Sequence, residues 1–173
     1  MNAEELRALQ APLKARYKSD AAAARVPVHA LGRLDADGVT CRIETGHGKA
    51  LAGLHPATGG NGQEACSGDM LLEALVACAG VTLKAVATAM SIPLRGGTVR
   101  AEGVFDARGT LGTDKSAPVG LQDLRLRFEL DTDAPQEKLD KLIELTERYC
   151  VIYQTLRNPP AIACEATRTG SGR

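Results

Sequence analysis

The chain has no tryptophan, and only two phenylalanines and three tyrosines among its 173 residues. A hydrophobic core must therefore be aliphatic, and an aromatic platform for stacking nucleic-acid bases has almost nothing to be built from. Excess charge is missing as well. The 21 Lys and Arg residues balance the 21 Asp and Glu residues, so there is no basic footprint for a phosphate backbone and no nucleic-acid partner is expected. No Cys-x-x-Cys occurs, and His29, His47 and His55 stand at no metal-ligand spacing to the cysteines, so no metal site is expected. Residues 1–6 lack a charged-then-apolar leader pattern, which makes the cytoplasm the expected location. In that reducing compartment Cys41, Cys66, Cys78, Cys150 and Cys164 do not read as a disulfide framework.

What the chain does have is one long apolar stretch, from Ser67 to Met90. Ser67 is a favourable N-cap, Asp69 places a negative charge in the first turn, and Pro93 cannot continue a helix. The few polar side chains, Glu73, Lys84 and Thr88, share a narrow stripe with Gly80. The remaining directions are aliphatic, so a central helix buried on most sides is expected. Asp69, Glu73 and Lys84 interrupt it too often for a membrane span, and no membrane partner is expected.

Around this helix the coarse order is helix, strands, central helix, strands, helix, strand. Leu6, Leu9, Leu13 and Tyr17 mark a short N-terminal surface helix. Residues 28–31 and 39–43 flank a turn-like Asp35–Gly38, which predicts a hairpin with Cys41 on its apolar face, and a third strand is expected near Lys49–Leu54. Gly59, Gly60 and Gly62 follow, in a loop that lacks both nucleotide-binding glycine spacings and is read as a tight turn against a neighbour. After the central helix come a strand over 98–106, a long loop over 107–118, and a strand in which Leu124, Leu126, Phe128 and Leu130 alternate with charged residues. Asp133 and Gln136, with Pro135 between them, form a capping-box signal for a helix carrying Leu139, Leu142, Ile143, Thr146 and Cys150 on one stripe. A break and a short helix are expected over 149–156, and a last strand with Cys164 over 161–167. The pattern is α+β, with antiparallel sheet and helices on one side. Residues 1–25 read as an N-terminal helical extension, 26–168 as one domain and 169–173 as a flexible tail.

Helical periodicity leaves Cys78 and Cys150 open to two readings, small core residues or functional thiols, and spacing cannot show whether they meet. Cys66, just before the central helix, reads either as a loop residue or as an alternative reactive thiol.

Gly59 and Gly60, then Ser67 to Cys78, and downstream Glu147 to Leu156 around Cys150, together resemble the OsmC/organic hydroperoxide resistance family over roughly residues 26–168, as a divergent member. The resemblance implies an OsmC-like fold: antiparallel sheets wrapped around a long central helix in an intertwined homodimer, with active sites at the subunit interface. It implies thiol-dependent reduction of hydroperoxides, above all organic ones, with Cys78 as peroxidatic thiol and Cys150 as resolving thiol. An external dithiol, lipoyl-type by resemblance, would restore both, with no bound cofactor. Family members usually carry a Glu ten residues before the first cysteine, orienting an arginine that activates the thiol. Gly68 stands at that position here, with Asp69 or Glu73 as substitutes. The arginine would be Arg33, or alternatively Arg42. Val151 stands where the family often has Pro. The alternative function is a non-catalytic OsmC-like dimer binding a small apolar or thiol-reactive molecule.

Overall fold

The structure, a computed structural model, describes residues 1–28, 30–34, 41–45 and 48–168. The expected turn at Asp35–Gly38 and the tail at 169–173 lie outside the described residues.

The first helix, α1 (Ala3–Ser19), starts at a capping box in which the Asn2 side chain accepts from the Glu5 amide while Glu5 accepts from the Asn2 amide. None of its residues is buried. The stripe of Leu9, Leu13 and Tyr17 is exposed; Leu6, Gln10 and Lys14 are the α1 residues that border the central helix across a gap.

Strands β1 (Leu31–Leu34), β2 (Cys41–Thr45) and β3 (Gly48–Gly53) form an antiparallel meander, with Leu34 opposite Cys41 and Cys41 opposite Ala52. β1 starts three residues later than the sequence pattern indicates. A two-residue strand, β4 (Ala65–Cys66), joins the same sheet and pairs parallel to β3, where only antiparallel pairing was expected. The chain between them turns through a 3-10 segment at Pro56–Thr58, capped by His55 Nδ1 accepting from the Ala57 amide at 3.0 Å. The loop needs Gly60: a Cβ there would lie 1.7 Å from the Leu54 carbonyl oxygen.

The central helix α2 runs from Ser67 to Ala89. Cys66 is its N-cap and Ser67 its first helical residue, one position earlier than expected. The helix ends as Met90 caps it and Ser91 takes a positive φ of 54°. Among the described helices it is the one long and apolar enough to cross a membrane by length and composition. In the structure α1, α4 (Gln136–Tyr149), α5 (Val151–Arg157) and β5 (Gly96–Val104) contact it. Burial is confined to one stripe, Leu75, Ala79, Leu83 and Ala87, while Val81 is 73% exposed. The expectation of burial on most sides thus fails within the single chain, whose own elements leave part of the apolar surface uncovered.

β5 and β6 (Gln122–Asp131) make a separate antiparallel pair, with Val99 opposite Phe128 and Ala101 opposite Leu126. The expected long loop contains a short helix, α3 (Ala107–Leu111), started by the Asp106 side chain accepting from the Arg108 amide and ended by left-handed Gly112. α4 lacks the expected Asp133 cap: Pro135 is its N-cap with no side-chain bond. The Asp133 carboxylate is instead held by Arg95, and Thr132 Oγ1 accepts from the Ala134 amide.

Leu142, fully buried, joins Leu83, Ala87 and Ile92 in the core, with Phe128, Leu130, Leu139 and Ile143 packed around them. Burial of a leucine of this kind stabilises the fold by about 1.5–3 kcal/mol. The buried Thr146 hydroxyl donates to the Leu142 carbonyl at 2.7 Å, so no polar atom is stranded beside it. The expected last strand is absent: residues 161–167 are exposed and unpaired, Cys164 among them.

Candidate active site

Cys150 occupies the break between α4 and α5, serving as C-cap of one and N-cap of the other with extended angles, φ −75° and ψ 111°. Its amide donates to the Thr146 carbonyl and its carbonyl accepts from the Gln154 amide, both at 2.9 Å. The kink therefore leaves no unpaired backbone group on Cys150, and the residue has no exposed surface. At the same turn the Val151 and Ile152 amides, which have no partner inside α5, are free to donate elsewhere.

They face Cys78. The Cys78 thiol, half-buried midway along α2, feels the amides of Ile152 and Val151, the Cys150 side chain and the Thr82 side chain one turn further along α2, each of which favours its thiolate. Burial pushes this thiol up. The Ile152 amide, the Cys150 thiol, the Val151 amide and Thr82 together outweigh burial and hold Cys78 below its ordinary value. Cys150 moves the other way. Burial raises it, and its bond and charge contact with Cys78 add to that rise against the amides of Tyr153 and Ile152. The two thiols that spacing could not connect are thus in contact and polarised in opposite directions.

The remaining candidates lie apart from this pair. Asp69 is exposed in the first turn of α2, about 13.5 Å along the helix axis from Cys78 at 1.5 Å per residue. Cys66 is about 18 Å along the same axis, beyond disulfide reach of Cys78. Arg33 in β1 stands directly opposite Arg42 in β2; their side chains lie outside the described residues. Thr82 and the amides of Val151 and Ile152 were missed in the sequence. Thr82 was open to discovery, being one turn from Cys78 on the same helix face. The amides carry no sequence signal beyond the helix break itself.

An α+β chain with a lowered helix thiol against a buried second thiol is a two-cysteine domain. A sequence model of the OsmC-like protein family matches residues 60–165, and the chain belongs to that family. A search of curated proteins returns no match. Among solved structures, the chain is similar to an OsmC-like protein from Mycoplasma pneumoniae, at 17% identity over 78% of this chain and 89% of that one, with a TM-score of 0.65. An organic hydroperoxide resistance protein from Elizabethkingia anophelis, with thiocyanate bound, is 17% identical over 78% of this chain and 91% of that one, TM-score 0.62. The organic hydroperoxide resistance protein OhrB of Bacillus subtilis is 16% identical over 78% and 93%, TM-score 0.54. These likenesses establish the OsmC-like fold.

Proposed function

We propose that the protein is a cytoplasmic, homodimeric, thiol-dependent reductase of organic hydroperoxides. The observation that carries this reading is the contact between Cys78 and Cys150, with Cys78 lowered by backbone amides and Cys150 raised by burial. The Cys78 thiolate attacks the outer oxygen of the hydroperoxide; the O–O bond breaks, the alkoxide leaves with a proton as the alcohol, and Cys78 becomes a sulfenic acid. Cys150 then attacks the Cys78 sulfur, water leaves, and a disulfide forms. An external dithiol returns two electrons and restores both thiols. Accessibility supports the order, because Cys78 is partly exposed and Cys150 is closed to solvent. Arg33 or Arg42 is the proposed cation beside Cys78, with Asp69 or Glu73 orienting it. The uncovered apolar face of α2 around Val81 supports the dimer.

One observation favours a second reading, a non-catalytic dimer that binds a small apolar or thiol-reactive ligand: Gly68 replaces the acidic residue that family members usually have. One equivalent of cumene hydroperoxide, followed by intact mass and peptide mapping, separates the two. A rapid Cys78–Cys150 disulfide, reversed by a dithiol and absent in Cys78→Ser, is the expected result. Thiols that stay reduced for minutes under excess peroxide refute the reductase.

A further inference from the structure

We propose that Gln154 is a positioning residue of the thiol site: its side-chain amide occupies the Glu147 carbonyl, the helical partner of the Val151 N–H, and so keeps that N–H turned toward Cys78. In an unbroken helix each amide bonds the carbonyl four residues back, which pairs Val151 with Glu147. At Cys150 this ladder is interrupted. The Cys150 amide still reaches the Thr146 carbonyl, and the Gln154 amide still reaches the Cys150 carbonyl, both at 2.9 Å. Between them, no backbone bond runs from Val151 to Glu147 among the described residues, because the extended ψ of 111° at Cys150 swings the two groups apart. The Glu147 carbonyl is met instead by Gln154 Nε2 at 2.8 Å, in a partly buried bond that spans seven residues across the corner.

A carbonyl can only accept, so the nitrogen of the Gln154 side chain must face it. The side-chain oxygen accepts from Asn158 Nδ2 at 3.2 Å, and the Asn158 amide caps α5 on the Gln154 carbonyl at 2.9 Å. Both ends of the side-chain amide are therefore tied, one to the last turn of α4 and the other to the end of α5. Without the donor, Glu147 presents an unpaired carbonyl in a partly buried corner. Leaving such a group unmade costs more than a typical hydrogen bond contributes. The Val151 N–H satisfies it once Cys150 relaxes from ψ 111° toward the helical value of about −42°. That relaxation takes from Cys78 one of the groups that favour its thiolate. Gln154 thus acts on the thiol through Val151. The effect on the thiol is independent of the reductase reading; the effect on turnover rests on it.

Peptide-resolved iodoacetamide labelling of Cys78 across pH, on the reduced full-length protein, tests this through a double-mutant cycle with Val151→Pro. Gln154→Met keeps the length and helix propensity of the side chain while deleting the donor, and Gln154→Leu deletes it with a different shape. Each should slow labelling near neutral pH about two- to tenfold, displace the profile upward, and converge with the parent at high pH. In the Val151→Pro background there is no N–H to recapture, so each should change the rate by less than about twofold. No slowing in the single variants, the same slowing in both backgrounds, or a deficit that persists at high pH overturns the proposal. Oxidation of Cys78 by cumene hydroperoxide should slow in the same proportion as labelling. A parent protein that fails to react with the hydroperoxide sinks the reductase reading alone, and the labelling cycle still decides the role of Gln154.

Discussion

Replacing Val151 with proline isolates the contribution of one backbone amide to Cys78. Val151 is the first residue of α5, the helical position that tolerates proline best, since its amide has no partner within the helix. Cys150 before it already has extended angles, φ −75° and ψ 111°, as a residue preceding proline requires. The Val151 side chain is 68% exposed, so little packing is lost, and the fold should be unchanged or slightly stabilised, by up to about 1 kcal/mol. What disappears is one N–H group that favours the Cys78 thiolate, while the Ile152 amide, Cys150 and Thr82 remain. A single hydrogen bond contributes about 0.5–1.5 kcal/mol net. Its loss raises the Cys78 pKa, so below that pKa the thiolate population falls about two- to tenfold. Peptide-resolved iodoacetamide labelling of Cys78 across pH is the assay. The variant should label two- to tenfold more slowly near neutral pH, with its profile displaced upward, and should converge with the parent at high pH where both are thiolate. An unchanged or faster rate at neutral pH in a folded variant refutes the reasoning, and so does a deficit that persists at high pH.

Three further outcomes follow from packing and exposure. Leu142→Ala removes a fully buried side chain from the contact between α4 and α2 and should cost about 3–5 kcal/mol in denaturant unfolding; a loss below 1 kcal/mol contradicts the core assignment. Gly60→Ala drives a Cβ to 1.7 Å from the Leu54 carbonyl oxygen and should cost at least about 2 kcal/mol. Gly59→Ala, with φ +96° and nothing within 4 Å, should cost only about 1–2 kcal/mol, and reversal of that order sinks the loop geometry. In the native reduced protein, maleimide should label exposed Cys164 far faster than Cys150, which has no exposed surface; equal rates contradict the placement of Cys150.

The helices were legible because their signals are local. Leu6, Leu9, Leu13 and Tyr17, the apolar run after Ser67, and the stripe from Leu139 to Cys150 each follow helical spacing, and the structure shows a helix at each. The Asp133 cap was misread for an equally physical reason. A carboxylate near a helix start is a cap only if no cation competes, and Arg95, distant in sequence, takes it. The parallel pairing of β3 with β4 rests on a two-residue strand, too short to leave a pattern. The last strand failed because a strand needs a neighbour, and nothing among the described residues pairs with residues 161–167. For the site, the resemblance nominated Cys78 and Cys150, while their contact depends on how α4, α5 and α2 pack. That packing also decides which amides point at Cys78, and the sequence holds no mark of it.

The opposed shifts of the two thiols make the proposed reaction self-ordering. While Cys78 is a thiolate, its charge and its bond to Cys150 add to burial in keeping Cys150 protonated, so Cys78 is the nucleophile and Cys150 waits. Conversion of Cys78 to a sulfenic acid removes that negative charge. The charge contact that raised Cys150 then disappears, while the Tyr153 and Ile152 amides that favour its thiolate remain. Cys150 thus becomes easier to ionise at the moment when a nucleophile is needed to close the disulfide. The same amides bear on the absence of an acidic residue at Gly68. In family peroxidases, an oriented arginine supplies the positive field at the thiol. Here part of that field comes from the N–H groups of Val151 and Ile152, which the turn at Cys150 fixes and which need no acidic partner to orient them. A guanidinium from Arg33 or Arg42 would add to this field, but the lowered state of Cys78 already arises from α5, Cys150 and Thr82.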